Sequence, residues 1–485
     1  MNYILEGLEP KLALKYFEDI SAIPRGSYNE AGIADFIMSK AGEFGLYCRK
    51  DAANNVVVKK PATKGFENCA PVLFQAHTDM VCEKNADTAH DFTKDGLELQ
   101  LDGDILTAKG TTLGADDGKG VAYMLALMDS DSDSFDHPPL EFLFTSGEEV
   151  GFVGAMAFDP YDLEAKRMIG LDAGPEDDVY LTSAGAQEVT FGVPYTSVPA
   201  EGTVLSLSIK GLKGGHSALK ITDELGNANK IMGRILHNIE KCVPFNICSI
   251  SGGLMFNAIP RESNAVIAIS SEYVDKTKEI IKKVFTEIKD EFAASDPDMF
   301  YVLEKSSAET MMDNKATKMI VDALFNIPNG IRMMNVQIPG LPVTSTNMGV
   351  VKTLDDKVTI NTMLRSSSHT LCDDYIDHMC SIAKLCGIDD IVCGSWLSAW
   401  PYMAKSELRA LAQKMYFERN GKYMNEIAAH GGLELGVFSE KIPGLDIVTL
   451  GCDHGDEHTI TEWMSISSFG IVYDFIKDLL VELTK

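Results

Sequence analysis

The feature that most constrains the fold is an alternation of apolar strands with helices in the first part of the chain. The strand candidates are rich in β-branched and apolar residues: "NNVVVKK", "PVLFQAHTD", "PLEFLFTS" and "RMIGLDAG". In "GKGVAYMLALMDS", Val121, Leu125 and Met128 follow the spacing of a helical stripe. Strands that are apolar on nearly every residue are buried on both faces. The pattern therefore predicts an α/β domain with a central, mostly parallel sheet flanked by helices.

The middle of the chain has a different pattern. Alternating strands are indicated by "TVLSLSIKGLKGGHS", "GGLMFNAIPRESNAVIAIS" and "DDKVTINTMLRSSS", and amphipathic helices follow two of them. This faint repeat predicts a two-lobed α+β domain. From about residue 395 the α/β pattern returns, with the strand "LDIVTLG" and a closing helix. We therefore predict one α/β domain in two parts, 1–185 and 395–485, interrupted by an inserted domain at 186–394.

Charge and cysteine usage narrow the partners and the compartment. The formal net charge of −28 over 485 residues argues against nucleic acids and anionic membrane surfaces, which attract basic patches. No apolar run reaches the roughly 18 residues of a membrane span. The N-terminus lacks the basic start and apolar core of a signal peptide. Ten cysteines without a CxxC pair indicate reduced thiols in the cytoplasm.

Polar residues cluster where the predicted strands end, which is where open α/β sheets bind ligands. In "AHTDM", His77 and Asp79 point to the same face, because residues i and i+2 of a strand do so. A metal-bound histidine usually gives its other ring nitrogen to a carboxylate, so Asp79 could orient His77 as a ligand. The alternative for His77 is a histidine that only caps a strand end.

Further clusters follow the same logic, although each has an ordinary structural alternative. Two neighbouring acids in "TLGADDGKG" could cap a helix, and the aspartate of "GLDAG" could occupy a turn. Taken together, the clusters supply His, Asp, Glu, Asp and His after five strands of one domain. Nitrogen and oxygen ligands without thiolate suit zinc, manganese or cobalt. Five or more such ligands suggest two ions that share a bridging carboxylate.

The order and spacing of these residues resemble the dinuclear-zinc metallopeptidases that include aminoacylases and glutamate carboxypeptidases. Several strings are similar to the aminoacyl-histidine dipeptidases, which cleave Xaa-His dipeptides such as carnosine: "FQAHTDMVCEKN", "GTTLGADDGKGVA", "TSGEEVGFVGA", "GLKGGHS" and "HGGLELGVF". The likeness covers nearly the whole chain. It implies a cytoplasmic dipeptidase with two divalent ions per subunit, zinc first and manganese or cobalt as alternatives. It also implies that the inserted domain is a lid through which homodimers form.

The resemblance assigns the metal ligands position by position. Asp116 corresponds to the carboxylate that bridges both ions, and its peptide bond to Asp117 is often cis in the family. The remaining ligands are His77, Glu149, Asp172 and His458. His454 is a rival for the last place, but the family pattern of a histidine followed four residues later by glutamate fits His458 with Glu462. Asp79 corresponds to the acid that orients the first histidine.

The resemblance also implies the catalytic residues. Glu148 corresponds to the general base that takes a proton from the zinc-bridging water, whose pKa is lowered to around 7. His216, in "KGGHS", corresponds to a lid histidine that assists the oxyanion. In many family members this histidine comes from the partner subunit. A two-lobed lid could instead supply it within one chain, and the sequence leaves both possibilities open.

Substrate contacts are expected from the inserted domain. Arg365 and Asn257 match positions that hold the carboxylate end and the carbonyl of the substrate, and an arginine fork suits a carboxylate. The alternative for Arg365 is a surface ion pair. Glu434 could hold the free amine, while the role of His430 stays open.

Other functions fit parts of the same pattern. A deacylase of N-acyl amino acids, or a dipeptidase of broader specificity, would use the same two-metal chemistry. A non-catalytic dimer or metal-storage protein on this fold would be expected to lack the base or a ligand, and here every expected position is filled.

Overall fold

The computed structural model describes residues 3–129 and 134–485. The chain forms two compact units. The first unit comprises Met1–Thr182, Tyr402–Ile427 and Val437–Lys485, and the second comprises Ser183–Pro401 and Ala428–Gly436. The second unit thus starts near the predicted insertion point, and it also includes a short return segment, 428–436, that the sequence pattern assigned to the α/β domain. Among the described residues, no helix combines the length and the apolar character needed to cross a membrane.

Helices occur in both units. Their bounds are α1 (Lys11–Ser21), α2 (Ala31–Glu43), α3 (Ala115–Met128), α4 (Val153–Ala157), α5 (Ala228–Glu240), α6 (Val274–Glu291), α7 (Asn314–Asn326), α8 (His369–Leu385), α9 (Glu407–Asn420), α10 (Leu435–Lys441) and α11 (Ile466–Glu482).

Strands form the centre of each unit. In the first part of the chain, up to residue 183, the strands are β1 (Tyr47–Lys50), β2 (Val56–Lys60), β3 (Val72–His77), β4 (Leu99–Asp102), β5 (Ile105–Ala108), β6 (Leu140–Thr145), β7 (Arg167–Gly170) and β8 (Asp178–Ser183). In the middle of the chain they are β9 (Gly185–Pro194), β10 (Ser197–Pro199), β11 (Thr203–Lys210), β12 (Gly215–His216), β13 (Phe245–Gly252), β14 (Ala258–Ile259), β15 (Ser263–Ile269), β16 (Phe300–Lys305), β17 (Thr310–Met312), β18 (Gly330–Met334), β19 (Pro342–Thr353), β20 (Lys357–Ser366) and β21 (Asp390–Cys393). The last strands are β22 (Asn425–Ala429), β23 (Asp446–Thr449), β24 (His454–Gly455) and β25 (Trp463–Ser465).

The first unit is built on a mixed sheet with the order β1-β2-β6-β3-β7-β23. The strands β6, β3, β7 and β23 run parallel, while β1 and β2 form an antiparallel edge. Every residue of β3 and β6 is buried, as their continuous apolar pattern predicts. The register pairs His77 with Thr145 and Gln75 with Gly170, so the loops after β3, β6 and β7 leave the sheet at one edge.

Helix α3 begins with irregular backbone. Asp116 and Asp117 have non-helical dihedral angles, and the peptide bond between them is cis. Gly114 precedes the helix with a φ of 67°, and a Cβ there would lie 2.5 Å from a guanidinium nitrogen of Arg25. Glycine is therefore required at this position by both the backbone conformation and the close contact.

The second unit is one long antiparallel sheet with the order β16-β11-β15-β13-β19-β20-β9-β21, and β18 also pairs with β19. Helices α5 to α8 contribute apolar side chains to the core of this unit, among them Ile235, Ile281, Leu324 and Met379. The strand β13 pairs with β15 on one side and with β19 on the other. The two predicted lobes therefore share one sheet within a single chain.

Candidate metal centre

The first unit brings the five predicted metal ligands together. His77 is the last residue of β3, and Glu149 and Asp172 lie in the loops after β6 and β7. Asp116 instead lies in the first turn of α3, and His458 lies in the loop between β24 and β25. The sequence predicted Asp116 before a helix, and it lies in the first turn of α3. His458 was expected after a strand, and it lies in the loop that follows the short strand β24.

Asp116 is at the centre of the cluster. Its Oδ1 lies 2.8 Å from Nε2 of His77, and its Oδ2 lies 3.2 Å from Nε2 of His458. Donor atoms of His77, Asp116 and Asp172 form one group within 4.8 Å of one another, and those of Asp116, Glu149 and His458 form another. Each oxygen of Asp116 therefore faces a different group. The donor set of imidazole nitrogen and carboxylate oxygen suits two divalent cations that share one carboxylate.

The electrostatics of the cluster also favour cations. Burial and the charge of Asp116 raise the pKa of Asp172 well above its ordinary value. Burial alone would lower the pKa of His77, but its hydrogen bonds with Asp116 and Asp79 outweigh burial and raise that pKa. Hydrogen bonds to Asp116 and Glu149 raise the pKa of His458 to about 10. In the metal-free protein, protons thus compensate the excess of carboxylates, and a divalent cation would replace them.

Asp79 connects His77 to the glutamate pair. Nδ1 of His77 lies 3.2 Å from the backbone carbonyl of Asp79 and 3.5 Å from its Oδ1, and the side chain of Asp79 is fully buried. The two oxygens of Asp79 accept the backbone N–H groups of Glu148, at 3.0 Å, and Glu149, at 3.3 Å. The hydroxyl of Ser27 donates to Asp79 at 2.8 Å. Burial raises the pKa of Asp79, but its bonds with His77 and Ser27 outweigh burial and hold that pKa below the ordinary value.

The neighbouring glutamates reach the centre with different partners. Donor atoms of Glu148, Glu149 and His77 lie within 4.8 Å of one another. Oε1 of Glu149 also lies 2.9 Å from Nε2 of His458, so Glu149 belongs to one of the two groups that contain Asp116. The geometry is compatible with Glu149 as a ligand and Glu148 as a base.

Arg25 is a supporting residue that the sequence analysis missed. Its guanidinium is buried and donates to the backbone carbonyls of Thr78, at 3.1 Å, Asp79, at 3.2 Å, and Gly114, at 2.5 Å. It therefore ties the loop after β3 to the loop before α3. No periodicity or motif in "SAIPRGS" indicates this, because the contacts join segments that are distant in sequence.

Glu462 holds the backbone around Asp116. Its carboxylate accepts four backbone N–H groups at 2.8 to 3.3 Å, those of residues 113 to 116. In the sequence, Glu462 stood out only as the glutamate four residues after His458. In the structure it fixes the loop from which the side chain of Asp116 extends.

Lys119 and Asp117 form a buried ion pair beneath the centre. Nζ of Lys119 lies 3.3 Å from Oδ1 of Asp117, and neither side chain is exposed to solvent. The same Nζ lies 4.0 Å from Oδ1 of Asp172. Burial lowers the pKa of Lys119, but the charges of Asp117 and Asp172 outweigh burial and raise it above the ordinary value. The signal in the sequence was a lysine just before the apolar part of the helix, and it was overlooked.

His454 lies apart from the two groups around Asp116. Its Nδ1 donates to the carbonyl of Cys452 at 2.8 Å, and its Nε2 lies 3.1 Å from Glu457. Both ring nitrogens therefore have partners other than the predicted ligands.

Three predicted substrate-contacting or catalytic residues lie together in the second unit. Arg365, on β20, donates from Nε to the hydroxyl of Ser217 at 3.4 Å. His216 is the last residue of β12, and Ser217 follows it. The N–H of Ser217 donates to the carbonyl of Asn257 at 2.8 Å. Arg365 is only 6% exposed, so its interpretation as a surface ion pair is wrong. Burial lowers the pKa of Arg365 to about 10, and burial and the charge of Arg365 lower the pKa of His216.

His430 and Glu434 belong to the return segment of the second unit. Nε2 of His430 lies 2.7 Å from the hydroxyl of Ser345, which is paired with Arg365 across β19 and β20. Burial and the charge of Arg365 lower the pKa of His430 to about 4, so its ring is neutral at pH 7. Glu434 is also buried.

In one class of metallopeptidases, an α/β sheet carries imidazole and carboxylate groups at one edge, and an antiparallel unit is inserted into the chain. This protein has both features. Family models agree with this: the peptidase dimerisation domain of the M20 class matches residues 207–296, and peptidase family M28 matches residues 55–188. The cytosol non-specific dipeptidase of Escherichia coli is 34% identical over 99% of both chains. The chain therefore belongs to the family of this dipeptidase.

Solved structures also include a similar dipeptidase and further proteins of the same fold. The aminoacylhistidine dipeptidase of Vibrio alginolyticus is 34% identical, covers 98% of this chain and 97% of its own, and superposes with a TM-score of 0.92. Aminopeptidase PepT of Bacillus cereus is 16% identical over 99% of this chain and 100% of its own, with a TM-score of 0.57, and shares the fold.

Proposed function

We propose that this enzyme hydrolyses dipeptides, with Xaa-His dipeptides such as carnosine among its substrates, and that two divalent metal ions are required. The observation that carries the proposal is Asp116, whose two oxygens face two separate groups of donor atoms. The relatives from E. coli and V. alginolyticus, both named dipeptidases, support the substrate class.

His77, Asp116 and Asp172 would hold one ion, and Asp116, Glu149 and His458 would hold the other. Zinc ions held there would lower the pKa of a bound water to around 7 and would polarise the scissile carbonyl. Glu148 is the base that takes the proton of this water and later delivers it to the leaving amine. Asp79 supports both steps, because it fixes the ring of His77 and the backbone of Glu148.

The cluster in the second unit is proposed to bind the dipeptide. Arg365 offers a buried guanidinium for the substrate carboxylate, and Asn257 offers an amide for its carbonyl. His216 stabilises the developing oxyanion, and its lowered pKa keeps it neutral and able to donate one hydrogen bond at pH 7. Glu434 pairs with the free amine.

The remaining assignments rest on the relatives and on the donor set. Zinc is the preferred ion, with manganese and cobalt as alternatives, because the ligands are imidazoles and carboxylates. The match to a peptidase dimerisation domain supports a homodimer formed through the second unit. The name of the E. coli relative, a cytosol dipeptidase, supports a cytoplasmic location.

The test is a dipeptide-panel assay on chelated protein that is reconstituted separately with zinc, manganese and cobalt. We expect no hydrolysis without metal and restored hydrolysis of carnosine and related dipeptides with at least one ion. Carnosine and its N-acetylated form should be compared, because a dipeptidase requires the free amine. Faster cleavage of the acetylated form would establish a deacylase instead. Full metal occupancy with no hydrolysis across the panel would refute the proposed function.

A further inference from the structure

The two groups of donor atoms match in chemistry but differ in surroundings. Each contains one histidine, one further carboxylate and an oxygen of Asp116. On the Glu149 side, the side chain of His458 is 50% exposed to solvent. On the Asp172 side, the ammonium of Lys119 lies 4.0 Å from Oδ1 of Asp172 and is fully buried. Among the described residues, a buried lysine ammonium therefore lies beside the Asp172 group and not beside the Glu149 group.

The position of this ammonium is fixed by the fold. Lys119 follows Asp116 by three residues on α3, and its Nζ is held 3.3 Å from Oδ1 of Asp117. The same Oδ1 accepts the N–H of Gly120 at 3.2 Å, which orients the carboxylate of Asp117. A Cβ at residue 120 would lie 2.7 Å from both oxygens of Asp117, so glycine leaves room for the pair.

Resting on the proposed two-metal function, we infer that Lys119 sets the affinity of the ion on the Asp172 side and keeps that ion exchangeable. In the metal-free protein, the ammonium offsets the charges of Asp117 and Asp172. Once a divalent cation is bound to Asp172, the same ammonium repels it, and burial leaves little solvent between them to screen the repulsion. Lys119 is thus a positioning residue that acts on the metal through Asp172.

The sign of the effect separates this role from a structural one. Removing the ammonium by Lys119→Met should tighten the ion on the Asp172 side by about tenfold or more, because the ammonium no longer repels the bound cation. Removing the carboxylate by Asp117→Asn should weaken the same ion. The double variant Asp117→Asn/Lys119→Met should lie between them, near the wild type. A variant that only damages the fold would weaken metal binding, so tightening cannot arise in that way.

Each side of the centre can be tested by itself. The Glu149→Gln background weakens the site on the Glu149 side, so the tight site that remains is on the Asp172 side. The Asp172→Asn background has the opposite effect and leaves the site on the Glu149 side. Zinc dissociation constants should be measured by chelator competition, with thermal unfolding of each metal-free variant as the second readout. Lys119→Met should tighten zinc in the first background and change the second by less than about threefold.

Lys60→Met is the matched control, because Lys60 is another buried lysine of the first unit and donates to the carbonyls of Leu127 and Asp129. It should lower the unfolding temperature without tightening zinc. The inference would be overturned if Lys119→Met bound zinc as the wild type does or more weakly, and the double variant did not differ from it. This outcome would leave the dipeptidase function intact. Failure of the wild type to bind zinc would overturn both.

Discussion

At the scale of single residues, the carboxylates of the centre divide their two oxygens between different partners. Asp116 faces His77 with one oxygen and His458 with the other. Asp79 accepts the N–H of Glu148 with one oxygen and that of Glu149 with the other. Asp116 therefore links two distant segments of the chain, whereas Asp79 fixes the backbone of one adjacent pair. The repulsion between Glu148 and Glu149 is offset by the neighbouring histidines.

The raised histidine pKa values predict how metal binding depends on pH. In the metal-free protein, hydrogen bonds to Asp116 and Glu149 raise the pKa of His458 to about 10, so its ring is protonated at pH 7. A cation binds the neutral ring and must displace that proton. The dissociation constant should therefore fall, by up to about tenfold per pH unit for each displaced proton, as the pH rises from 6 to 8.

Calorimetric titration with zinc in buffers of different ionisation enthalpy would count the released protons. A dissociation constant that does not change over this pH range, with no proton release, would contradict the assignment of His458 as a ligand.

At the scale of elements, the register of parallel strands determines where the site can form. The pairing of His77 with Thr145 and of Gln75 with Gly170 aligns the ends of β3, β6 and β7. The loop before α3 completes this edge, and it is held by the four hydrogen bonds that Glu462 accepts. The position of Asp116 thus depends on a residue almost 350 positions later in the chain.

Glu462→Gln tests this dependence. The amide supplies one oxygen and a donor group where two oxygens now accept N–H groups, so one pair of buried N–H groups loses its acceptor. We expect a loss of about 2 kcal/mol in the free energy of unfolding and zinc binding weaker by about tenfold. The control is Glu457→Gln, because Glu457 is half exposed and contacts His454.

The control should change the stability by less than about 1 kcal/mol. Urea unfolding measures the free energy of unfolding, and chelator competition measures the zinc affinity. Equal effects of the two substitutions would show that the loop before α3 does not depend on Glu462.

The sequence predicted those elements whose pattern is local. The apolar runs of β3 and β6 were recognisable because both strands are buried on both faces. Arg25, Lys119 and the contacts of Glu462 were missed, because their partners are brought together by tertiary packing and leave no periodic signal. For the same reason the segment 428–436 was assigned to the α/β domain, although it belongs to the second unit. The roles of the predicted ligands and of Glu148 stay predictions.

At the scale of the whole molecule, one chain contains both clusters that the proposed reaction needs. The first unit contains the candidate metal centre, and the second contains Arg365 with His216. The matched dimerisation segment already pairs through β13 with β19 of the same chain. In the proposed dimer, His216 acts either at the metal centre of its own chain or at that of the partner subunit.

Mixing two inactive variants distinguishes these two arrangements. Glu148→Gln and His216→Ala should be unfolded together, refolded together and assayed for dipeptide hydrolysis. If each chain uses its own His216, every mixed dimer stays inactive. If His216 acted on the partner subunit, one site of each mixed dimer would be complete, and about a quarter of the wild-type activity would return. Refolded wild type alone is the control for recovery.

The central claim, that Glu148 and Glu149 have separate roles at a two-metal centre, is tested most directly by measuring zinc content and dipeptide turnover of Glu148→Gln and Glu149→Gln side by side. The predicted result is that Glu148→Gln keeps two zinc ions per chain and loses turnover by at least about a hundredfold, whereas Glu149→Gln loses zinc affinity first. Near-wild-type turnover of Glu148→Gln with both ions bound would contradict the claim.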